Sequence, residues 1–166
     1  MEKLQYEREE LIEMVAIHLQ NLHTIPPLCG KIWATLIIEG KSKGLTFDDL
    51  LEKLKVSKSS ISTNLNLLLR TKQIYFTTKD GERKKYFKTI SFSERLERMF
   101  NNLNFEKKLM DKIIDYKSKL SKTAENKIEL ENILAYKAHL TVIEKSTQKI
   151  ITDLKIIEQK NTKNNT

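Results

Sequence analysis

The segment from Ser57 to Arg70 reads SKSSISTNLNLLLR. At about 100° per residue, a helix here puts Ile61, Leu65, Leu68 and Leu69 on one side. Ser59, Thr63, Asn66 and Arg70 fall on the other, flanked by Lys58 and Ser62. The outer side thus offers short neutral groups that both donate and accept hydrogen bonds, with a cation at each end. Base edges in a major groove call for such groups, and phosphate oxygens call for such cations. Ser59, Ser62, Thr63 and Asn66 are therefore the candidates for base contacts, and Lys58 and Arg70 for phosphate contacts. An ordinary solvated helix face would satisfy the same periodicity. The local composition argues against it, because no glutamate occurs between Glu52 and Glu82 in a chain otherwise rich in that residue.

A second group of cations follows. Residues 73–90, QIYFTTKDGERKKYFKTI, change from helical periodicity to two β-rich runs around Asp80-Gly81, a strong hairpin-turn signal. Arg83, Lys84 and Lys85 then lie at or near the tip of a protruding hairpin. An arginine there is suited to the negative potential of a minor groove. Residues 56–90 carry eight basic and two acidic side chains, so a net +6 of the chain's +8 sits in this stretch. Basic charge concentrated in this way is the footprint of a polyanion-binding patch.

Other elements must hold these two groups in place. Residues 3–22 predict an amphipathic helix through Leu4, Leu11, Ile12, Val15, Leu19 and Leu22. Pro26 and Pro27 end it and open a helix over 27–39, whose buried stripe is Ile32, Trp33, Leu36 and Ile37. The span 40–44 reads as a turn with two lysines, and Leu45 as a short strand. Thr46 reads as the N-cap of a helix at 47–54, and Ser57 as the N-cap of the next. After the hairpin, Leu96, Phe100, Leu103, Met110, Ile113, Ile114 and Leu120 form one helical stripe. The polar segment 121–126 is a break, with Thr123 as a further N-cap. Ile133, Tyr136, Leu140, Ile143, Thr147, Ile150, Leu154 and Ile157 then alternate spacings of three and four, as a heptad seam does.

The expected fold is mainly α: a winged helix-turn-helix of three helices plus a β-hairpin wing, between an N-terminal helix and long C-terminal dimerisation helices. The expected division is an N-terminal dimerisation helix at 1–24, the winged helix at 25–90, a C-terminal dimerisation region at 91–158 and a disordered tail at 159–166. Two recognition helices on a twofold axis read two half-sites about 34 Å apart, which favours a homodimer. Leu11, Val15, Leu140, Ile143, Ile150, Leu154 and Ile157 are the candidate dimerisation residues, although covering the chain's own core would use the same side chains.

Residues 25–90 resemble the winged-helix domain of MarR-type regulators, and within them the GbsR-like subgroup. Pro27, Gly30, Ile32, Trp33 and Leu36 carry the resemblance before the motif. Leu45, Leu50, Leu51, Leu54, Val56, Ser57, Ser60, Ile61, Ser62, Asn64 and Leu65 carry it in the motif. Gly81, Arg83, Lys84 and Tyr86 carry it in the wing. The glycine-leucine that usually ends the recognition helix reads here as Lys72-Gln73-Ile74. The resemblance implies a homodimeric transcriptional regulator, usually a repressor, on a pseudo-palindromic double-stranded operator.

Other functions find less support. No Cys/His spacing suits a metal, no phosphate loop or nucleophile motif appears, and neither cofactor nor enzymatic activity is expected. Cys29, the single cysteine, suits a reducing compartment and reads as a small core residue before it reads as a redox sensor. No signal-peptide pattern or membrane-length apolar run occurs, so a cytoplasmic location without membrane association is expected. Trp33, Tyr116 and Tyr136 are the aromatic candidates for a small-molecule effector pocket, though their spacing is that of core residues. The competing class is a winged-helix adaptor that binds only protein. An RNA-binding module would need an exposed aromatic platform that the sequence does not display.

Overall fold

The structure, a computed structural model, describes residues 2–40, 43–120 and 123–163. Positions 41 and 42 of the expected turn, 121 and 122 of the expected break and 164–166 of the expected tail lie outside the described residues. The elements in chain order are α1 (Glu2–His23), α2 (Pro27–Glu39), β1 (Leu45–Thr46), α3 (Phe47–Leu54), α4 (Lys58–Arg70), β2 (Ile74–Thr78), β3 (Lys85–Thr89), α5 (Phe92–Ser118) and α6 (Ala124–Lys163). The fold is mainly α with a winged helix-turn-helix. The chain divides into two compact units, Met1–Ile90 and Ser91–Thr166.

In the first unit Trp33, Ile32, Leu50, Ile61 and Leu68 are the large side chains sealed from water. They come from α2, α3 and α4, so the core sits directly behind the outer face of α4. The stripe of α1 that turns inward is Ile12, Ala16 and Leu19, while Leu4, Leu11 and Leu22 stay exposed. The reason is visible at Gly30 of α2. A Cβ there would stand 2.8 Å from the carbonyl oxygen of Ala16 and 2.7 Å from Cγ of Gln20. Two small residues let the helix backbones approach, and this fixes which side of α1 faces the core. Three strands complete the unit in the order β1-β3-β2, all antiparallel. Leu45 pairs with Phe87 and Ile74 with Thr89.

The second unit is an antiparallel helix hairpin. Four ion pairs stitch α5 to α6: Lys155 to Glu97, Lys107 to Glu144, Lys137 to Asp111 and Lys117 to Glu129. Glu158, near the end of α6, reaches the start of α5. Its carboxylate accepts from the backbone N–H of Ser93 at 3.2 Å and from the Ser93 hydroxyl. Burial pushes this carboxyl up, but hydrogen bonds from Ser93, Ser91 and the Phe92 backbone outweigh it and leave it below its ordinary range.

The row of α6 turned toward α5 is Ile133, Lys137, Leu140, Glu144, Thr147, Ile151, Leu154 and Glu158. Only half of the expected seam is in it. Tyr136, Ile143, Ile150 and Ile157, each seven residues from the next, stay 45, 44, 50 and 53% exposed. Long side chains replace them inside because Lys137 and Glu144 lay their aliphatic stems against α5 while their charges pair there. The exposed row borders another on α5. The Tyr136 hydroxyl donates to Glu106 at 2.5 Å, and Met99 and Phe92, at successive seven-residue steps before Glu106, are also exposed. One flank of the hairpin is therefore apolar and the other is laced with ion pairs.

Helix α6 runs to Lys163, into the span 159–166 expected as a disordered tail. Gln159 and Lys160 are good helix formers, and no glycine or proline interrupts the helix there. Among the described residues no helix is long and apolar enough to cross a membrane.

Candidate nucleic-acid interface

The segment of α3 and α4 is held at both ends. Thr46 and Asp49 form a capping box at the start of α3: the Thr46 hydroxyl accepts from the Asp49 N–H at 3.1 Å, and the Asp49 carboxylate accepts from the Thr46 N–H at 2.7 Å. The backbone and side-chain hydrogen bonds from Thr46 hold the Asp49 carboxyl below its usual range. Lys55, at φ 52°, turns the chain, and Ser57 caps α4 by accepting from the Ser60 N–H at 3.2 Å. The far end of α4 closes in a Schellman motif. The Gln73 N–H donates to the Leu68 carbonyl at 2.9 Å and the Lys72 N–H to the Leu69 carbonyl at 3.0 Å. Lys72 takes the left-handed conformation, φ 56°, at the position where a glycine is usual. The helix ends in the usual geometry without the usual residue.

All nine sequence-nominated contact residues are exposed. Ile61, Leu65 and Leu68 anchor the inner side of α4, and Lys58, Ser59, Ser62, Thr63, Asn66 and Arg70 face outward. Ser59 differs from the rest because its hydroxyl lies 3.0 Å from that of Ser57 and is committed to the cap. Arg83, Lys84 and Lys85 leave the wing loop exposed. That loop turns on Asp80 and Gly81, closed by the Glu82 N–H donating to the Lys79 carbonyl at 3.0 Å, with Gly81 at φ 79°. The positive φ at the third position demands glycine.

The structure brings the two groups together. Ser62 and Asn66 of α4 form one wall of a cleft, and Arg83, Lys84 and Lys85 form the other, over a floor that includes Phe87. Asp48, in the first turn of α3, also borders this cleft and is the carboxylate a polyanion would have to avoid. Among the described residues, ion pairs hold lysines and arginines to carboxylates in α1, α2, α3, α5 and α6. None involves a residue between Lys53 and Glu94. The most basic stretch of the chain is the one whose charge is left unneutralised.

Sequence reasoning overlooked how the wing is braced. The Tyr86 hydroxyl donates to Glu82 at 2.7 Å, which pushes the Tyr86 hydroxyl pKa up. Lys79 lies 4.9 Å and Lys43 5.8 Å from the Tyr86 ring centre, and Lys85 lies 4.2 Å from that of Phe76. Lys43 and Lys79 thereby join the basic face. No spacing in the sequence signals these contacts, since they depend on the register of β1, β2 and β3. Cys29 is core: it is fully buried and burial pushes its thiol up to about 11, which disarms it as a sensor. Trp33 is likewise core, whereas Tyr116 and Tyr136 are exposed on the hairpin.

The dimerisation candidates separate into two groups. Leu140 is sealed inside its own hairpin at 3% exposure, and Leu154 and Val15 are partly covered. Leu140 is thus spent within one chain, because the shared column of the heptad faces α5. Leu11, Ile143, Ile150 and Ile157 remain exposed.

No family model matches the chain, and no curated protein matches it. Among solved structures, one described as a transcriptional regulator is similar over 89% of this chain and 97% of its own, with a TM-score of 0.63 and 17% identity. The fold is that of a solved transcriptional regulator. The S. aureus MepR–DNA complex is 21% identical over 87% of this chain and 96% of its own, with a TM-score of 0.41.

Proposed function

We propose that the chain is a sequence-specific DNA-binding transcriptional regulator of the MarR type, acting as a homodimer on a pseudo-palindromic operator and repressing by occupying it. The observation that carries the reading is the cleft between α4 and the wing: hydrogen-bonding side chains on one wall, cations without carboxylate partners on the other. A recognition helix with such a face enters a major groove, and the wing reaches the adjacent minor groove. The solved transcriptional regulator of similar fold supports the same reading.

The homodimer is supported by the apolar flank of the helix hairpin. Two helices alone cannot bury both faces, and the flank formed by Phe92, Met99, Tyr136, Ile143, Ile150 and Ile157 stays exposed, as do Leu134, Val142 and Ile156 elsewhere on α6. A second copy offers the same surface, and a twofold axis brings the two together. The resemblance of residues 25–90 supports placing the regulator in the GbsR-like subgroup.

The test is binding of the full chain, across ionic strength, to random duplex DNA and to a duplex selected from a random pool, followed by fluorescence anisotropy. A regulator of this kind binds with a steep salt dependence and a stoichiometry of two chains per specific site. An adaptor that engages only protein through the apolar flank shows no salt-sensitive retention of DNA, and that outcome overturns the proposal.

A further inference from the structure

The same face constrains what it reads. Lys58 and Arg70 are the first and last residues of α4. Twelve residue steps at 1.5 Å separate them by about 18 Å, or roughly five base-pair steps of duplex. Across that distance the exposed side chains are Ser59, Ser62, Thr63 and Asn66, and none is charged. Guanine is most often read by a bidentate arginine or lysine on O6 and N7, and the middle of α4 supplies neither. The carboxamide of Asn66 is the one group there with the paired donor and acceptor that match N6 and N7 of adenine. It makes no hydrogen bond among the described residues, so its pairing capacity is intact, and it lines the cleft opposite Arg83. Thr63 adds a methyl group of the kind that packs on the thymine methyl. The wing adds an independent preference, because a lone arginine enters most readily the narrow minor groove of A·T tracts.

Resting on the proposed DNA-binding reading, we infer that each half-site is A·T at its centre, with an adenine paired to Asn66, and A·T again where Arg83 enters the minor groove. Lys58 and Arg70, at the two ends of α4, hold phosphates and leave guanine unread at the half-site centre.

The experiment is selection of bound duplexes from a random pool with the full-length chain, repeated with Asn66→Ala. The expected result is A·T at the centre of each half-site. Asn66→Ala, an exposed substitution, should lose about tenfold or more on the selected site and relax the preference at one base pair per half-site. Inosine·cytosine pairs, which present an A·T-like minor groove, should restore binding at the wing positions but not at the centre. Enrichment of G·C at the centre overturns this inference and leaves the DNA-binding reading intact. An unchanged preference in Asn66→Ala overturns the assignment to that residue. A pool with no retained duplex overturns both inference and reading.

Discussion

Replacing Ile143, Ile150 and Ile157 together by Gln separates the two roles that the heptad seam of α6 was expected to combine. These side chains are 44, 50 and 53% exposed in the single chain, so about half of each remains to be withdrawn from water by a second copy. Full burial of such a side chain stabilises by about 1.5–3 kcal/mol, which leaves roughly 1 kcal/mol for each half still exposed. Three residues on each of two chains then contribute about 6 kcal/mol to association, or on the order of 10⁴ in the dimer dissociation constant. Gln is a good helix former, and the ion pairs that register α5 against α6 are untouched. Sedimentation equilibrium should therefore show a monomer at micromolar concentration, while far-ultraviolet circular dichroism stays at the parent value. A variant that remains dimeric refutes the assignment of this flank. A variant that loses helix refutes the claim that the flank is dispensable to the hairpin itself.

Four further outcomes are expected. Arg83→Ala should flatten the salt dependence of DNA binding by about 0.9 in log–log slope per copy, read from titrations at several salt concentrations. Asp48→Asn removes the carboxylate bordering the cleft and should tighten binding to random duplex, most visibly at low salt. Lys72→Gly should raise stability by about 1 kcal/mol in urea denaturation, since glycine adopts the left-handed cap without the strain a side chain incurs. Glu158 has a carboxyl held below its ordinary range. Its stabilising contribution is complete above the unfolded value of about 4.3 and is lost as pH falls through the lower folded value. Glu158→Gln should therefore be less stable at neutral pH, and the gap to the parent should close on acidification, as followed by thermal melts from pH 7 to pH 3.

Much of the fold is written locally. Thr46 and Ser57 cap the helices their positions announce, and Asp80-Gly81 turns the hairpin because glycine adopts the positive φ found there without strain. The polar side of α4 points outward because four apolar residues at helical spacing leave no other orientation. What stayed hidden depends on partners distant in sequence. Periodicity could not say whether Tyr136 or Lys137 faces α5, since both columns repeat every seven residues. The opposite charge of Asp111 on α5 decides it. Nor could it choose between the two stripes of α1, where Gly30 and the small Ala16 set the approach. The contact between Glu82 and Tyr86 was equally invisible, because it forms only once the strands are in register.

Only Lys55, Val56 and Ser57 separate α3 from α4, and both junctions are pinned by caps. The helix pair consequently has no hinge of its own. On the proposed reading, a signal that releases DNA would act not by loosening α4 against α3 but as a lever on two copies of the chain, changing their separation and tilt until they no longer match consecutive turns of one duplex. Operators with altered spacing between half-sites would then be the natural reporters of the switched state.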